Sequence, residues 1–327
     1  MAKRTRVTIK DVARAAQVTP QTVSRALRGA PDISEQTRER VLKIASELHY
    51  VKNNTATSLR RGSTRLIAVI YDNLINMYFS IMTDRIQHCL KERGYSMLTM
   101  SLRSVRLDRE AYLSALSYNV DGIISFLEPE EDISAAIRAY HVPVLLLGRR
   151  TEVQNIDYIR SDDEEGGRLA ANRLYESGCR RLVCLTGMPE LTCAYDRFRG
   201  FQEGAVALGL DEPTAIDVDA SDLDARLMSL FRSPDQGPDG VFCFNDMIAF
   251  ELLSFFERNR IQPVRLIGYD NIQQEIAIPH RLTSVGTDKT AMAKRAADII
   301  IFRAEHGDAP PRITETEKVF LADGITA

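Results

Sequence analysis

No apolar run in this 327-residue chain approaches the roughly 18 residues needed to cross a bilayer, so no membrane-spanning helix is expected. The start, Met-Ala-Lys-Arg-Thr-Arg, is basic but leads into no hydrophobic segment; a secretory leader is not expected, and the cytoplasm is the expected compartment. Cysteines are few and scattered: Cys89, Cys179, Cys184, Cys193 and Cys243, never spaced C-x-x-C. Odd in number and without ligand spacing, they fit buried reduced thiols better than disulfides or a metal site. There is no Walker loop, and no G-x-G-x-x-G follows the first apolar run, so no cofactor is expected. The histidines His49, His88, His141, His280 and His306 stand in no recognisable motif, and enzymatic activity is not expected.

The chain does have length for two or three domains with substantial cores, and the balance of a globular protein, 44% apolar and 27% charged. Its net charge of −3 conceals a split. Residues 1–65 hold 14 Lys and Arg against 5 Asp and Glu, whereas the remainder holds 28 against 40. A basic head on an acidic body points to a polyanionic partner for the head alone.

Segment 8–16, Thr-Ile-Lys-Asp-Val-Ala-Arg-Ala-Ala, reads as a helix capped by Thr8, with Val12 and Ala16 four apart on one face. Gln17-Val18 makes a short turn. Thr19 offers a second cap, and Pro20 takes the first helical position, where its missing N–H costs little. The helix Pro20–Leu27 is expected to bury Val23 and Leu27 and to stop at Gly29-Ala30-Pro31. A third helix follows Ser34 and carries Val41, Leu42, Ile44, Ala45 and Leu48. These are the dimensions of a helix-turn-helix. The open face of the second helix presents Gln21, Thr22, Ser24 and Arg25. In the major groove Gln suits adenine and Arg suits guanine, while Pro20 offers only apolar contact. Arg4, Arg6, Lys10 and Arg28 fall nearer the phosphates.

Val-Thr-Ile-Lys-Asp-Val-Ala over 7–13 and Val-Thr-Pro-Gln-Thr-Val-Ser-Arg-Ala-Leu over 18–27 closely resemble the headpiece signature of the lac repressor family. The match continues through Ser34–Arg40 to Glu47-Leu-His-Tyr50. The resemblance implies a transcriptional regulator, a repressor rather than an activator, working as a homodimer on pseudo-palindromic double-stranded operator DNA. Thr8, Thr19, Pro20, Gln21, Thr22, Ser24, Arg25 and Arg28 are its expected DNA-contacting residues. The segment that follows is polar and short enough to be marginal as an isolated helix. In the family the matching segment folds on DNA. Asn53, Ala56 and Leu59 fall on that pattern, with Leu59 as the minor-groove wedge. Lys52 stands where a proline is usual.

From Arg65 onward, strand-like runs alternate with helical patterns. Leu66–Tyr71, Ser96–Met100, Gly122–Phe126, Val142–Leu147, Leu182–Gly187, Gly240–Phe244 and Leu266–Tyr269 read as buried parallel strands. Helices are expected over about 78–93, 163–177, 194–208, 247–259 and 288–305. This is an α/β pattern long enough for two sheets. Its order resembles the two-lobed, periplasmic-binding-protein-like core of the same family. The expected division is a headpiece over 1–50, a hinge over 51–63 and a core over 64–327. Segment 306–327 is strand-like, and no leucine-heptad tail is present.

Three strand-end clusters resemble the family's effector site: Asp196-Arg197-Phe198-Arg199-Gly200-Phe201, Phe242-Cys243-Phe244-Asn245-Asp246 and Ile267-Gly268-Tyr269-Asp270-Asn271. The resemblance makes Arg197, Asn245 and Asp270 the polar contacts for a small sugar-like effector, with Phe79 packing on its ring. Many sugar-responsive members carry an acid where this chain has Gly148-Arg149-Arg150. That departure brings in Arg149 and an anionic ligand, such as a sugar acid or sugar phosphate. The rival readings are a helix-turn-helix fused to a sugar-processing enzyme and an architectural DNA-binding protein without an effector.

Overall fold

The computed structural model describes residues 7–51, 62–232, 237–276, 281–307 and 311–327; Asn53, Ala56 and Leu59 of the expected hinge lie outside the described residues. Two compact units divide the chain, Met1–Thr64 and Arg65–Ala327.

The N-terminal unit is built on α1 (Ile9–Ala16), α2 (Pro20–Ala26) and α3 (Glu35–Glu47). The Asp11 carboxylate reaches back to the Thr8 N–H at 2.9 Å and its hydroxyl at 2.7 Å, fixing the first turn. Gln17 ends α1 in the left-handed region, with φ 53°. The Thr19 hydroxyl then accepts from the Thr22 N–H at 3.1 Å, and Pro20 opens α2. Small and β-branched residues fill the core: Val12, Ala16, Val23, Ala26, Val41 and Ala45. The expected second buried position in α2 was Leu27. The helix instead ends at Ala26, which is buried; Leu27 is its C-cap and packs on the rim of the cluster.

The C-terminal unit opens with β1 (Leu66–Tyr71), α4 (Met77–Glu92), β2 (Ser96–Ser101), β3 (Arg106–Leu107), α5 (Arg109–Leu116) and β4 (Gly122–Ser125). It continues through β5 (Glu128–Pro129), α6 (Ile133–Tyr140), β6 (Val144–Leu147) and β7 (Ile156–Ser161). The chain then crosses to a second lobe of α7 (Asp163–Glu176), β8 (Leu182–Thr186), α8 (Thr192–Ala207), β9 (Thr214–Asp217) and α9 (Leu223–Phe231). That lobe is completed by β10 (Gly240–Cys243), α10 (Asp246–Asn259), β11 (Arg265–Tyr269) and β12 (Thr283–Thr287). Next, α11 (Lys289–His306) returns to pack on the first sheet, β13 (Thr314–Glu317) joins that sheet's edge, and β14 (Val319–Ala322) crosses back.

The first sheet runs β13-β7-β6-β4-β1-β2 and the second β14-β12-β11-β10-β8-β9. Helices cover both faces, which is why the central strands are apolar without alternation. In β1, Ile67, Val69 and Tyr71 enter one core while Ala68 and Ile70 enter the core on the opposite face. Two expectations change. The pair β12–β14 is antiparallel, so the second sheet is parallel in its body but not at that edge. The run beginning at Ser96 is a half-exposed edge strand rather than a buried one. All five cysteines are buried and unpaired. Among the described residues, no helix is long and apolar enough to cross a membrane.

Candidate functional site

In the N-terminal unit, α2 leaves Pro20 and Gln21 exposed, with Thr22, Ser24 and Arg25 half-buried along the same helix; Arg28 is exposed just beyond its end, and Thr8 and Thr19 stand exposed at the two N-caps. Thr19, Thr22, Arg25 and Arg28 among the expected contacts already have internal partners. The Thr19 and Thr22 hydroxyls share a 2.9 Å hydrogen bond, and the Arg28 Nε donates to the Ser24 carbonyl at 3.1 Å. Arg25 is ion-paired with Asp32, whose carboxyl it holds below its ordinary pKa by hydrogen bonding.

The C-terminal unit places its loops so that both sheets present their strand C-termini to one cleft, the usual ligand position in open parallel sheets. A cavity of about 60 Å³ lies there. Phe79 reaches it from the first turn of α4, Arg149 from the end of β6, Arg197 from α8, Asn245 from the end of β10 and Asp270 from the end of β11. All five residues expected from sequence thus line one cavity. Asn76, Tyr78, Phe126, Ser161, Cys193 and Phe244 also line it. Phe79 packs edge-on against Phe126 at 5.3 Å between ring centres, which makes it part of the cavity wall and of the first lobe's core together.

Arg197 owes its position to two glycines. A Cβ on Gly200 would lie 2.0 Å from the Glu164 carbonyl oxygen, and one on Gly167 would lie 2.2 Å from the Arg197 carbonyl oxygen. The helices α7 and α8 therefore meet backbone to backbone, which brings Asp163 within 2.8 Å of the Arg197 Nε. The guanidinium also donates to the Phe244 carbonyl at 2.6 Å and lies 3.5 Å from the Tyr269 ring centre. Asp270 is 3.8 Å away. Burial opposes the Arg197 charge, but the neighbouring negative groups, Asp163 foremost, outweigh it and hold the guanidinium above its ordinary pKa. Burial raises the carboxyls of Asp163 and Asp270, against Arg197 in both cases. Asn245 caps α10, its Oδ1 accepting from the Ile248 N–H at 2.9 Å.

A second network ties the lobes together beside the cavity. Asp196 on α8, 1% exposed, is gripped by Arg150 at 2.8 and 3.0 Å and by Arg160 of β7 at 3.1 Å. Glu128 of β5 accepts from the Thr192 N–H and hydroxyl at 2.7 and 2.8 Å, capping α8 from the opposite lobe. Arg106 neutralises Glu128 at 2.9 Å. None of these roles was assigned from sequence, because each pairs residues from distant segments. Asp163 carried no signal separating it from Glu164 and Glu165 beside it.

A DNA-reading headpiece and a two-lobed core with a polar cleft at its strand ends define a ligand-responsive regulator. Residues 8–53 match the bacterial regulatory proteins of the lacI family, and residues 171–319 match the periplasmic binding protein-like domain. The chain thus joins a lacI-family DNA-binding domain to a periplasmic-binding-protein-like domain. It is a DNA-binding transcriptional regulator whose core takes an effector, and it is not an enzyme. It is 29% identical over 319 residues to the HTH-type transcriptional repressor PurR of Vibrio parahaemolyticus, covering 95% of this chain and 96% of that one. Its fold matches the lac repressor dimer bound to operator and the anti-inducer ONPF at a TM-score of 0.81 and 22% identity, over 98% of this chain and 99% of that one. A LacI regulator from Alkaliphilus metalliredigens, complexed with D-xylulofuranose, matches at 0.69 and 26% identity over 80% of this chain and 98% of that one.

Proposed function

We propose that the chain is a repressor that reads a pseudo-palindromic operator as a homodimer and changes its hold when a small sugar-like effector enters the cleft. The observation that supports the effector half is that Phe79, Arg149, Arg197, Asn245 and Asp270, from five separate segments, line one cavity. Donors, an acceptor carboxylate and aromatic walls together suit a hydroxylated ring. The sugar carried by the Alkaliphilus regulator supports the same class. In the headpiece, Gln21, Ser24 and Arg25 read base edges, Pro20 meets a thymine methyl, and Thr8, Thr19, Thr22 and Arg28 hold the backbone. Residues 1–50 act as headpiece, 51–63 as a hinge with Asn53, Ala56 and Leu59 at the operator centre, and 64–327 as core.

An effector switches DNA affinity only as far as it binds two lobe arrangements with different strength. By linkage, operator DNA changes effector affinity by the same factor. The test is fluorescence anisotropy on an operator obtained by binding-site selection, repeated with a panel of sugars, sugar acids, sugar phosphates and purines. An active panel member shifts operator affinity by about 5-fold or more. Arg197→Ala abolishes the shift and leaves effector-free binding in place. If every ligand leaves DNA affinity unchanged, the reading as an effector-independent architectural protein takes its place.

A further inference from the structure

Charge matching around the cleft leaves one cation over. Arg150 is engaged with Asp196, and Arg197 with Asp163 and, more distantly, Asp270. Arg149 has no such partner. It is 8% exposed, and among the described residues no carboxylate lies within 4.0 Å of it. Its hydrogen bond is a long one, 3.4 Å from Nη1 to the Val105 carbonyl. An unmatched guanidinium held out of water is unfavourable in the empty protein, and the binding of an anion relieves it.

The rest of the lining donates more than it accepts. The Oδ1 atoms of Asn76 and Asn245 are occupied by the N–H groups of Tyr78 and Ile248, which leaves their amide NH2 groups for a ligand. Residues of the first turns or caps of α4, α8 and α10 line the cavity, so three helix N-termini face it. Burial keeps the Cys193 thiol protonated beside them. Within the cavity wall, Asp270 is the carboxylate acceptor.

We infer that the ligand of this cleft is a small hydroxylated anion whose carboxylate or phosphate docks on Arg149 while its hydroxyls meet Asp270, Asn245 and Arg197. This rests on the reading of the cleft as the effector site. It narrows the class from sugars to sugar acids and sugar phosphates.

The test uses the full-length protein, calorimetric titration and thermal unfolding at constant ionic strength. The probes are glucose, gluconate and glucose 6-phosphate; ribose and ribose 5-phosphate; and inorganic phosphate. An anionic member is expected to bind about 10-fold or more tightly than its neutral parent. Arg149→Met should shrink that preference to about 3-fold or less, whereas Arg197→Ala removes the binding of both. The carboxylate and phosphate arms identify which anion is preferred. A neutral sugar bound as tightly as its acid, with Arg149→Met indifferent, overturns the inference and leaves the sugar reading standing. If no sugar of either kind binds, phosphate that raises the melting temperature of wild type but not of Arg149→Met sustains the anion site while the sugar reading falls; equal action on both overturns it. Without ligand, Arg149→Met should melt above wild type, because the unmatched charge is gone. Melting below wild type would make Arg149 a structural residue and end the proposal.

Discussion

Gln21 and Arg25 stand one helical turn apart on α2, but only Arg25 is tied down, by its ion pair to Asp32. Base reading and phosphate contact should separate in measurement. Gln21→Ala is expected to cost about 1–3 kcal/mol on the selected operator and little on random DNA, whereas Lys10→Ala weakens both alike. Equal losses on the two DNAs for Gln21→Ala would show that the wrong face of α2 has been assigned. At the same scale, Asp246 sets a pH dependence. Burial, with repulsion from Asp270, pushes its carboxyl up to about 8, against the Ser284 hydroxyl, the Ile272 N–H and Lys289. An unfolded Asp ionises near 3.8, so the folded chain keeps a proton that the unfolded chain gives up. The stability this contributes is whole below about 3.8 and is lost as pH rises toward 8. Asp163 and Asp270, raised by burial, act in the same direction. Asp246→Asn should flatten the fall in unfolding free energy between about pH 4 and about pH 8, measured by urea titration at several pH values. An unchanged slope would mean that Asp246 is ionised in the fold.

Among elements, the crossing of α7 and α8 is the most demanding. A methyl group at Gly200 would overlap the Glu164 carbonyl, so Gly200→Ala should destabilise the core by about 3 kcal/mol, since two backbones must part. A loss below about 1 kcal/mol in urea unfolding would contradict that crossing. The R-x-x-G spacing was visible in the sequence, but its reason, a glycine that lets Asp163 reach Arg197, needed the partner helix. Elements were legible where burial was complete. Leu66–Tyr71 has the bounds read from sequence, because LIAVIY is apolar throughout. Strand β7, IDYIRS, escaped notice: Asp157 and Arg160 interrupt it, and Asp157 is a buried partner of Arg303 rather than a surface residue. Edge strand β9 and the short helices α5, α6 and α9 were also missed, being too brief for a periodicity to emerge. In the cavity wall, the residues expected from the family's motifs were found together, while Phe126, Ser161 and Cys193 sit outside any motif and became visible only through the fold.

For the whole core, the space between its lobes governs what the cleft can admit. A cavity of about 60 Å³ is small beside the roughly 300–1,000 Å³ of ordinary ligand pockets, so a sugar-sized ligand is expected to need the lobes further apart. The grips of Arg150 and Arg160 on Asp196, and of Glu128 on Thr192, hold the two lobes together beside the cavity. Asp196→Ala leaves two arginines without their shared carboxylate. It is expected to lower stability by about 3 kcal/mol and to raise the radius of gyration of the ligand-free protein in small-angle X-ray scattering. Unchanged scattering alongside lowered stability would make the network a brace within a rigid core rather than a clasp.

The lobes are joined at three places, between Ser161 and Asp163, between Thr287 and Lys289, and between Glu317 and Val319. At about 3.3–3.6 Å per residue, links this short give no slack for the sheets to slide apart. Three taut tethers side by side constrain a body as a door's hinge pins do, blocking translation and leaving rotation. Free energy released by a ligand in the cleft is therefore directed into one angular coordinate. Mutations that lengthen any one tether should weaken the response to effector without touching a residue that binds it.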